Sequence, residues 1–232
     1  MATPTRSNRP FYAGALVAAL LLGGFGLIAD EVVEGDTLDF DNAVLMGLRT
    51  NGNPTDPIGP AWLEEAARDL TALGSFAVLA ILVVVIASYL FLTARARTAW
   101  FLVGSVIGGT LVSTVLKSLF DRPRPDLTGV TQVFTASFPS GHATVSAVTY
   151  LTLGALLAGA SETRRLKLFY LATAVLLTIA VGISRIYLGV HYPTDVLAGW
   201  SIGTAWALLC WAAYSVWIAP RRSVTAGTPS DR

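Results

Sequence analysis

The stretch Leu73–Thr93 reads LGSFAVLAILVVVIASYLFLT and contains no charged side chain. An α-helix needs about 20 residues to cross a hydrocarbon core of about 30 Å, with a working range of about 17 to 25. The stretch meets this length without placing a charge in lipid. It therefore predicts a transmembrane helix.

Five further segments are also free of charge and long enough to cross a bilayer: Phe11–Ala29, Thr98–Leu116, Ala143–Ser161, Leu168–Ser184 and Val196–Ala219. Hydrophobic residues make up 53% of the 232 residues and charged residues 13%, whereas soluble domains usually carry about 25% charged residues. The sequence thus predicts an all-α fold, a six-transmembrane-helix bundle forming one membrane-integral domain over residues 11–219. The first segment also resembles a signal peptide, but it is long for one and no convincing cleavage site follows it.

Basic residues indicate how the bundle is oriented. Ten of the sixteen fall on one side of a six-span layout, at positions 6, 9, 95, 97, 164, 165, 167, 221, 222 and 232. The positive-inside rule places this side in the cytoplasm. We expect a multi-pass protein of the inner or plasma membrane, with the N-terminus 1–10 and a disordered tail 220–232 both cytoplasmic.

The opposite side begins with an acidic outer loop, residues 30–72, which holds ten carboxylates. Pro60 within it is typical of the first turn of a helix, so a short outer interfacial helix is expected between spans one and two. The net charge of +1, without a basic stripe, gives no indication of nucleic-acid binding. Cys210 is the only cysteine, which excludes an intrachain disulfide and a cysteine-based metal site.

Besides Arg49 and Arg68 of the acidic loop, four basic residues stand on the outer side against the orienting bias, at the outer ends of spans three to five: Lys117, Arg122, Arg124 and Arg185. Side chains that snorkel toward the interface would explain one or two of them, but a cluster of four suggests an anionic ligand. The two histidines of the chain, His142 and His191, fall at the same level. Four helix ends meet there, because spans three and five end on this side while spans four and six begin there.

Three motifs fill these ends, namely Lys117 with Arg124-Pro125, Pro139-Ser140-Gly141-His142, and Ser184-Arg185 with His191 and Asp195. Together they resemble the three-part signature of the type 2 phosphatidic acid phosphatase (PAP2) family, the lipid phosphate phosphatases, in its bacterial membrane-integral branch. The resemblance covers residues 117–195, and every signature position matches.

The residue types suit phosphoryl transfer, in which positioning and charge stabilisation supply most of the acceleration. Lys117, Arg124 and Arg185 are suited to holding phosphate oxygens. Ser140 and Gly141 precede the fourth span, where free backbone N–H groups and the helix dipole form an anion site. The sequence therefore predicts one phosphate-binding pocket built from these five residues.

The resemblance implies that His191 attacks phosphorus to give a phosphohistidine and that His142 protonates the leaving group. Spacing alone leaves the reverse assignment open, although only His191 has a carboxylate, Asp195, at a short fixed distance in sequence. That carboxylate would orient the imidazole and stabilise its positive charge, as in a catalytic triad.

The family implies a lipid phosphate substrate, such as a polyprenyl pyrophosphate, phosphatidylglycerol phosphate or phosphatidic acid, with no metal or cofactor. The sequence leaves open which lipid is used, whether the phosphoryl group passes to water or to another alcohol as in a phosphotransferase, and the oligomeric state. A metal hydrolase is less favoured, because catalytic zinc usually needs three protein ligands. A transporter would place charges deep within its spans, and these spans contain none.

Several residues near the site have weaker assignments. Arg122 is expected to pair with Asp121 or Asp126, or to touch a lipid headgroup. Ser184 and Tyr187 are expected to contact the site residues without touching the substrate. Four aromatic residues are assigned to interfacial belts, namely Trp100, Trp200, Trp217 and Tyr192.

Overall fold

The structure is a computed structural model that describes residues 9–51, 53–125, 127 and 136–217. In chain order these ranges form α1 Arg9–Glu34, α2 Leu38–Gly47, β1 Arg49–Thr50, β2 Asn53–Pro57, α3 Ala61–Ala72, α4 Phe76–Leu92, α5 Ala96–Phe120, α6 Gly141–Ala160, α7 Arg164–Tyr187 and α8 Pro193–Trp217. The predicted disordered tail and most of the predicted N-terminal segment lie outside the described residues.

Most of the described helices have the length and composition of membrane spans. Among these residues, α1, α5, α6, α7 and α8 each qualify, and α3 with α4 makes a sixth if this pair, bent by 48°, is one span. Large apolar side chains of α4, including Ile81, Val84 and Leu92, lie on the surface, which suits contact with lipid. The chain is a mostly helical, multi-pass membrane protein, with five or six candidate spans.

The helices extend past the predicted spans at one end of the bundle. The predicted spans stop at charged residues, but α5 continues through Lys117, α7 continues through Arg185 and α8 begins before Asp195. Each of these charges has a polar partner in the structure. A charge that is satisfied in this way does not force a helix to end.

Helix α6 lies at the centre of the bundle, against α5, α7 and α8, while α1 packs along α8. The contact between α6 and α8 is close because glycines face it. A Cβ on Gly199 would lie 2.8 Å from the carbonyl oxygen of Ser140, and one on Gly203 would lie 2.6 Å from that of Thr144. Glycine permits this approach of two backbones.

An aromatic cluster holds the segment that leads into α6. Phe138 is fully buried, and its ring stacks on Phe25 of α1 at 5.8 Å and meets Phe120 of α5 edge-on at 4.9 Å. Burying aromatic rings is among the larger contributions to packing in a protein core. The cluster therefore anchors residues 136–140 to two helices that are distant in sequence.

The segment between the first and second apolar stretches is more structured than predicted. Helix α1 runs on to Glu34, and α2 and an antiparallel hairpin of β1 and β2 follow. The hairpin departs from the all-α prediction, because its strands are too short to give a clear two-residue periodicity. Helix α3 begins after Pro60, where a helix start was predicted, and packs against α7.

Candidate active site

The predicted site residues converge at one end of the bundle. The backbone N–H of Ser140, before α6, donates to the carbonyl of Asp195 in the first turn of α8 at 2.9 Å. Lys117, in the last turn of α5, donates to the carbonyl of Ala136 at 2.7 Å. These bonds join the end of α5 and the beginnings of α6 and α8.

His191 lies on the short connection between α7 and α8. Gly189, with φ of +69°, ends α7 in the left-handed conformation that glycine favours. The chain then turns back, and the imidazole of His191 is 1% exposed. Its Nδ1 lies 3.3 Å from Asp195 Oδ2 and 3.3 Å from Ser137 Oγ. Asp195 is itself fully buried and also accepts hydrogen bonds from the Ser137 hydroxyl and the Tyr192 N–H.

The contacts of the His191 ring determine its tautomer. Arg124 Nη1 lies 3.1 Å from His191 Nε2, and a guanidinium can only donate a hydrogen bond. Nε2 must therefore accept, so the ring proton of the neutral imidazole lies on Nδ1 and points to Asp195. This arrangement leaves the Nε2 lone pair directed toward a cationic side chain, where an anionic substrate would bind.

Burial lowers the pKa of His191 to about 3, although hydrogen bonding and the charge of Asp195 act to raise it. The nearby Arg185 and Arg124 lower the pKa further. At neutral pH the imidazole is therefore uncharged and its Nε2 is nucleophilic.

The beginning of α6 carries the second histidine. Ser140 is the N-cap residue, and its carbonyl accepts from both the N–H and the hydroxyl of Thr144 at 2.9 Å. His142 follows in the first turn and interacts electrostatically with Arg185, Arg124 and Lys117. Because His191 also interacts with Arg185 and Arg124, the two imidazoles share the same cations.

Two polar atoms of the predicted phosphate-binding residues are buried and have no hydrogen-bond partner among the residues that the structure describes: Ser140 Oγ and Arg185 Nε. The guanidinium of Arg185 also donates from Nη1 to Thr71 Oγ1 at 3.0 Å. Burying such groups without a partner is costly. Both are therefore suited to an anion placed between α6 and α7.

Two connected cavities lie beside α4 and α5, and the smaller one reaches His142. A polar pocket of about 200 Å³ is lined by residues that include Lys117, Gly141 and His142. It shares Phe76, Thr110 and Val145 with a groove of about 460 Å³, lined mainly by apolar side chains of α4 and α5. An apolar channel thus leads along the helices to Lys117 and His142.

Comparison with known proteins identifies the family. A family model described as the PAP2 superfamily matches residues 98–219. The chain belongs to this superfamily. It is 36% identical over 147 residues to phosphatidylglycerophosphatase B of Bacillus subtilis (strain 168), covering 61% of this chain and 70% of that protein. It is 30% identical over 188 residues to the lipid A 1-phosphatase of Rhizobium etli, covering 68% of this chain and 76% of the relative.

Solved structures agree with this assignment. The crystal structure of a transmembrane PAP2-type phosphatidylglycerolphosphate phosphatase from Bacillus subtilis gives a TM-score of 0.79, with 27% identity over 88% of this chain and 98% of the other. Aquifex aeolicus LpxE shares the fold, with a TM-score of 0.54 at 23% identity over 74% of this chain and 94% of the other. The predicted family and the predicted enzyme class, a lipid phosphatase, are confirmed.

Of the partners predicted for Arg122 in this PAP2 chain, Asp121 was wrong, and Asp126 lies outside the described residues. The side chain turns inward instead of pairing with Asp121, and it donates to Asp195 Oδ1 and to Asp41 Oδ2, each at 2.7 Å. The partners predicted from sequence were chosen for nearness in the chain, whereas Asp41 arrives from α2. Burial lowers the pKa of Arg122, but Asp195 and Asp41 outweigh burial and raise it overall.

Two aromatic residues predicted to lie in interfacial belts have other contacts. Trp200 packs against Gly182 of α7 and donates from Nε1 to the carbonyl of Thr178 at 3.1 Å. The ring of Tyr192 lies 4.2 Å from the guanidinium carbon of Arg122, a cation–π contact. Tyr and Trp suit packing as well as interfaces, because each has an apolar ring and a polar group that can find a partner.

Tyr187, one of the two residues expected to support the site, is tied to the hairpin and to the residue that follows it. The Tyr187 hydroxyl donates to the carbonyl of Ile58 at 2.8 Å, while Arg49 Nη1 donates to the carbonyl of Tyr187 at 2.8 Å. Ser184 instead bonds within its own helix, to the carbonyl of Val181. The hairpin therefore holds the end of α7 just before the turn that carries His191.

Sequence reasoning missed Ser137, Asp41 and Thr194. Ser137 stands three residues before Ser140, outside the Pro139–His142 motif, and Thr194 lies within the motif that ends at Asp195 as a residue without a charge. Asp41 is one of ten acidic residues in its segment, and its burial was the only distinguishing feature. Within the described ranges, no group of three His, Cys, Asp or Glu side chains could hold a metal ion.

Proposed function

We propose that this chain hydrolyses a lipid phosphate monoester or pyrophosphate through a phosphohistidine on His191. The observation that carries the proposal is the contact between Arg124 and His191 Nε2 at 3.1 Å. It implies a nucleophilic lone pair facing a phosphate-binding cation, with the ring proton held by Asp195.

Phosphate binding is assigned to Lys117, Arg124, Ser140, Gly141 and Arg185. A Cβ on Gly141 would lie 3.2 Å from Cε of Lys117, so the lysine stem crosses the helix start at close range. The N-terminus of α6 adds backbone donors and a favourable dipole. These groups would hold the oxygens that gain charge in the transition state.

His142 is assigned as the general acid. The surrounding cations oppose a protonated imidazole, and a bound phosphate offsets them, so substrate binding favours the protonated form that is needed. His142 then gives its proton to the leaving oxygen, and afterwards takes a proton from the water that attacks the phosphohistidine. Inorganic phosphate is the product.

The apolar groove between α4 and α5 supports a lipid as the substrate. Its volume of about 460 Å³ falls within the range of about 300–1,000 Å³ that is common for ligand sites. The groove opens along lipid-facing helices and shares residues with the pocket of His142. The hydrocarbon chain would therefore lie in the groove while the phosphate reaches the cations.

The membrane arrangement is also proposed. We assign six spans, counting α4, with α3 as an outer interfacial helix, both termini in the cytoplasm and the site on the outer side. Basic residues next to α5 and α7 support this orientation by the positive-inside rule, and the segment that carries α2 is acidic. Among the lipids that the named relatives act on, phosphatidylglycerol phosphate has the support of the relative that matches at 36% identity.

The test is phosphate release by purified protein from a panel of lipid phosphates in EDTA. His191→Ala should lower the rate by at least about 10³-fold, as expected for loss of a covalent nucleophile. A labelled phosphoenzyme should be trapped by alkaline quench in the wild type and be absent in this variant. Label found on an added alcohol instead of in inorganic phosphate would favour a phosphotransferase, and activity lost in EDTA would refute metal independence.

A matched pair of variants tests the phosphate site. Arg185 lies in the last turn of α7 and Arg165 lies exposed in the first turn of the same helix. Arg185→Ala should lower kcat/KM by about 10²-fold or more, in the range for loss of a preorganised oxyanion contact, while Arg165→Ala should not. Equal effects of the two would refute the assignment of Arg185.

A further inference from the structure

We propose that Asp41, in the outer helix α2, is a positioning residue of the reaction, which acts through Arg122 to supply the negative charge that balances the charge forming on His191. The inference rests on the proposed role of His191 as nucleophile. Asp41 lies outside the three signature motifs and is 150 residues before His191 in the sequence.

Asp41 is fully buried, and within the described part of the chain its carboxylate bonds only to Arg122 and Thr194, next to His191 and Asp195. Its Oδ2 accepts from Arg122 Nη2 at 2.7 Å and from the hydroxyl of Thr194 at 2.6 Å. Its Oδ1 accepts from the N–H of Thr194 at 3.0 Å. Since Thr194 immediately precedes Asp195, the carboxylate of α2 holds the first turn of α8 directly as well as through Arg122.

Arg122 lies between two buried carboxylates. Its Nη1 donates to Asp195 at 2.7 Å and its Nη2 donates to Asp41 at 2.7 Å, with 7% of its side chain exposed. The charges of Arg122 and Asp195 alone would cancel, and this pair would present no net charge to the imidazole. With Asp41 included, the three groups carry a net charge of −1 in a region that water screens poorly.

The charge is needed when the covalent bond forms. The Nε2 lone pair of neutral His191 forms the bond to phosphorus, while the bond from phosphorus to the leaving oxygen breaks and its electron pair stays on that oxygen, which takes a proton from His142. The proton on Nδ1 of His191 remains, so the ring becomes cationic. The network of Asp41, Arg122 and Asp195 then has an opposite charge to balance it, and the four groups together become neutral.

The structure also provides a matched control for this role. Asp39 is exposed on the same helix, two residues from Asp41. Asp39→Asn removes one negative charge from α2 without touching the buried network. It therefore separates the effect of the buried carboxylate from that of the net charge of the outer segment.

The experiment compares Asp41→Asn, Asp39→Asn and the double variant Asp41→Asn/Arg122→Gln by phosphate release from phosphatidylglycerol phosphate in detergent. Each rate is normalised to the folded fraction measured by size exclusion. A hydrogen bond to a charged group contributes about 1.5–3 kcal/mol, so Asp41→Asn should lower kcat about 10- to 100-fold and change KM less than about threefold. Asp39→Asn should match the wild type.

The double variant distinguishes charge from structure. Removing Arg122 as well restores the net charge of −1 at Asp195, so the double variant should be at least roughly fivefold faster than Asp41→Asn. If Asp41 had only a structural role, the double variant would be no faster than Asp41→Asn, and that result overturns the proposal. The proposal is also overturned if the kcat of Asp41→Asn lies within about threefold of the kcat of Asp39→Asn. If Asp41→Asn yields too little folded protein, the double variant should stay within about 30-fold of the wild type, and a greater loss overturns the charge argument.

The wild type and His191→Ala are measured in the same assay. If the wild type releases no phosphate, or if His191→Ala retains its rate, the proposed function fails. If the wild type is active and His191→Ala is not, the rates of the Asp41 variants test the present inference by itself.

Discussion

Adding one methyl group at Gly199 should disturb the catalytic centre from a distance. In Gly199→Ala the new Cβ would lie 2.8 Å from the carbonyl oxygen of Ser140, 2.9 Å from Cβ of Ala143 and 3.1 Å from Oγ1 of Thr144. Ordinary contacts are about 3.5–4.0 Å. Two of the three opposing atoms belong to backbone or to a Cβ, which cannot rotate away, so α6 and α8 must separate by roughly half an ångström.

The separation should affect both stability and rate. Overpacking costs typically about 1–3 kcal/mol, and the helix propensity of alanine offsets up to about 1 kcal/mol of that. The Ser140 carbonyl bonds to Thr144, and the Ser140 N–H bonds to Asp195. The shift therefore reaches the beginnings of both catalytic helices. Since a misplacement of about 1 Å can cost about 10²-fold in rate, we expect kcat to fall roughly tenfold.

The assay is phosphate release in detergent together with thermal unfolding of the same sample. Gly104→Ala is the matched control, because a Cβ at Gly104 of α5 has no atom within 4 Å. It should leave kcat unchanged and leave the melting temperature equal or higher. A Gly199→Ala protein with wild-type kcat and an unchanged melting temperature would refute the argument that the α6–α8 contact sets the geometry.

Three further predictions concern the site and its support. Ser137→Ala removes a hydroxyl that contacts the His191 imidazole at 3.3 Å, so kcat should fall about tenfold in steady-state assays, whereas Ser118→Ala, at an exposed helix position, should not change it. Because the pKa of His191 in the folded protein is about 3 and its ordinary value is about 6.5, its stabilising contribution is complete above pH 6.5 and declines as the pH falls toward 3. Thermal unfolding should therefore show that the wild type loses stability in this window relative to His191→Gln, and parallel curves would contradict this. Phe138→Ala removes a fully buried ring and should cost about 3–5 kcal/mol, seen as a lower melting temperature, whereas Phe169→Ala, 61% exposed, should cost far less.

The sequence identified the parts of the fold and the site that depend on local composition. Long charge-free stretches are a direct consequence of the energetic cost of charge in lipid, so the helical spans could be predicted. The signature positions could be found because Lys117, His142 and His191 are unusual residues at the ends of such stretches. Several helices, such as α5 and α7, were predicted too short, since a rule that stops at a charge cannot know that Arg185 meets Thr71.

The hydrogen-bond network around the candidate catalytic residues could not be predicted in the same way. Asp41 has nine acidic residues around it in its segment, and nothing local distinguishes it from Asp39. Its burial depends on where α2 lies against α8, which is a property of tertiary packing. Arg122 was assigned to neighbours in the chain for the same reason, because one sequence contains no information on contacts between distant segments.

The bond between the Ser140 N–H and the Asp195 carbonyl joins the beginnings of α6 and α8, close to His142 and His191, while the apolar groove is lined mainly by α4 and α5. In the proposed function, the two histidines and the hydrocarbon chain are therefore held by largely different helices, with α5 serving both parts through its groove residues and Lys117. Substitutions of groove residues are expected to change which lipid binds without moving His142 or His191. The substrate range of this enzyme can therefore change while the positions of the two histidines are kept.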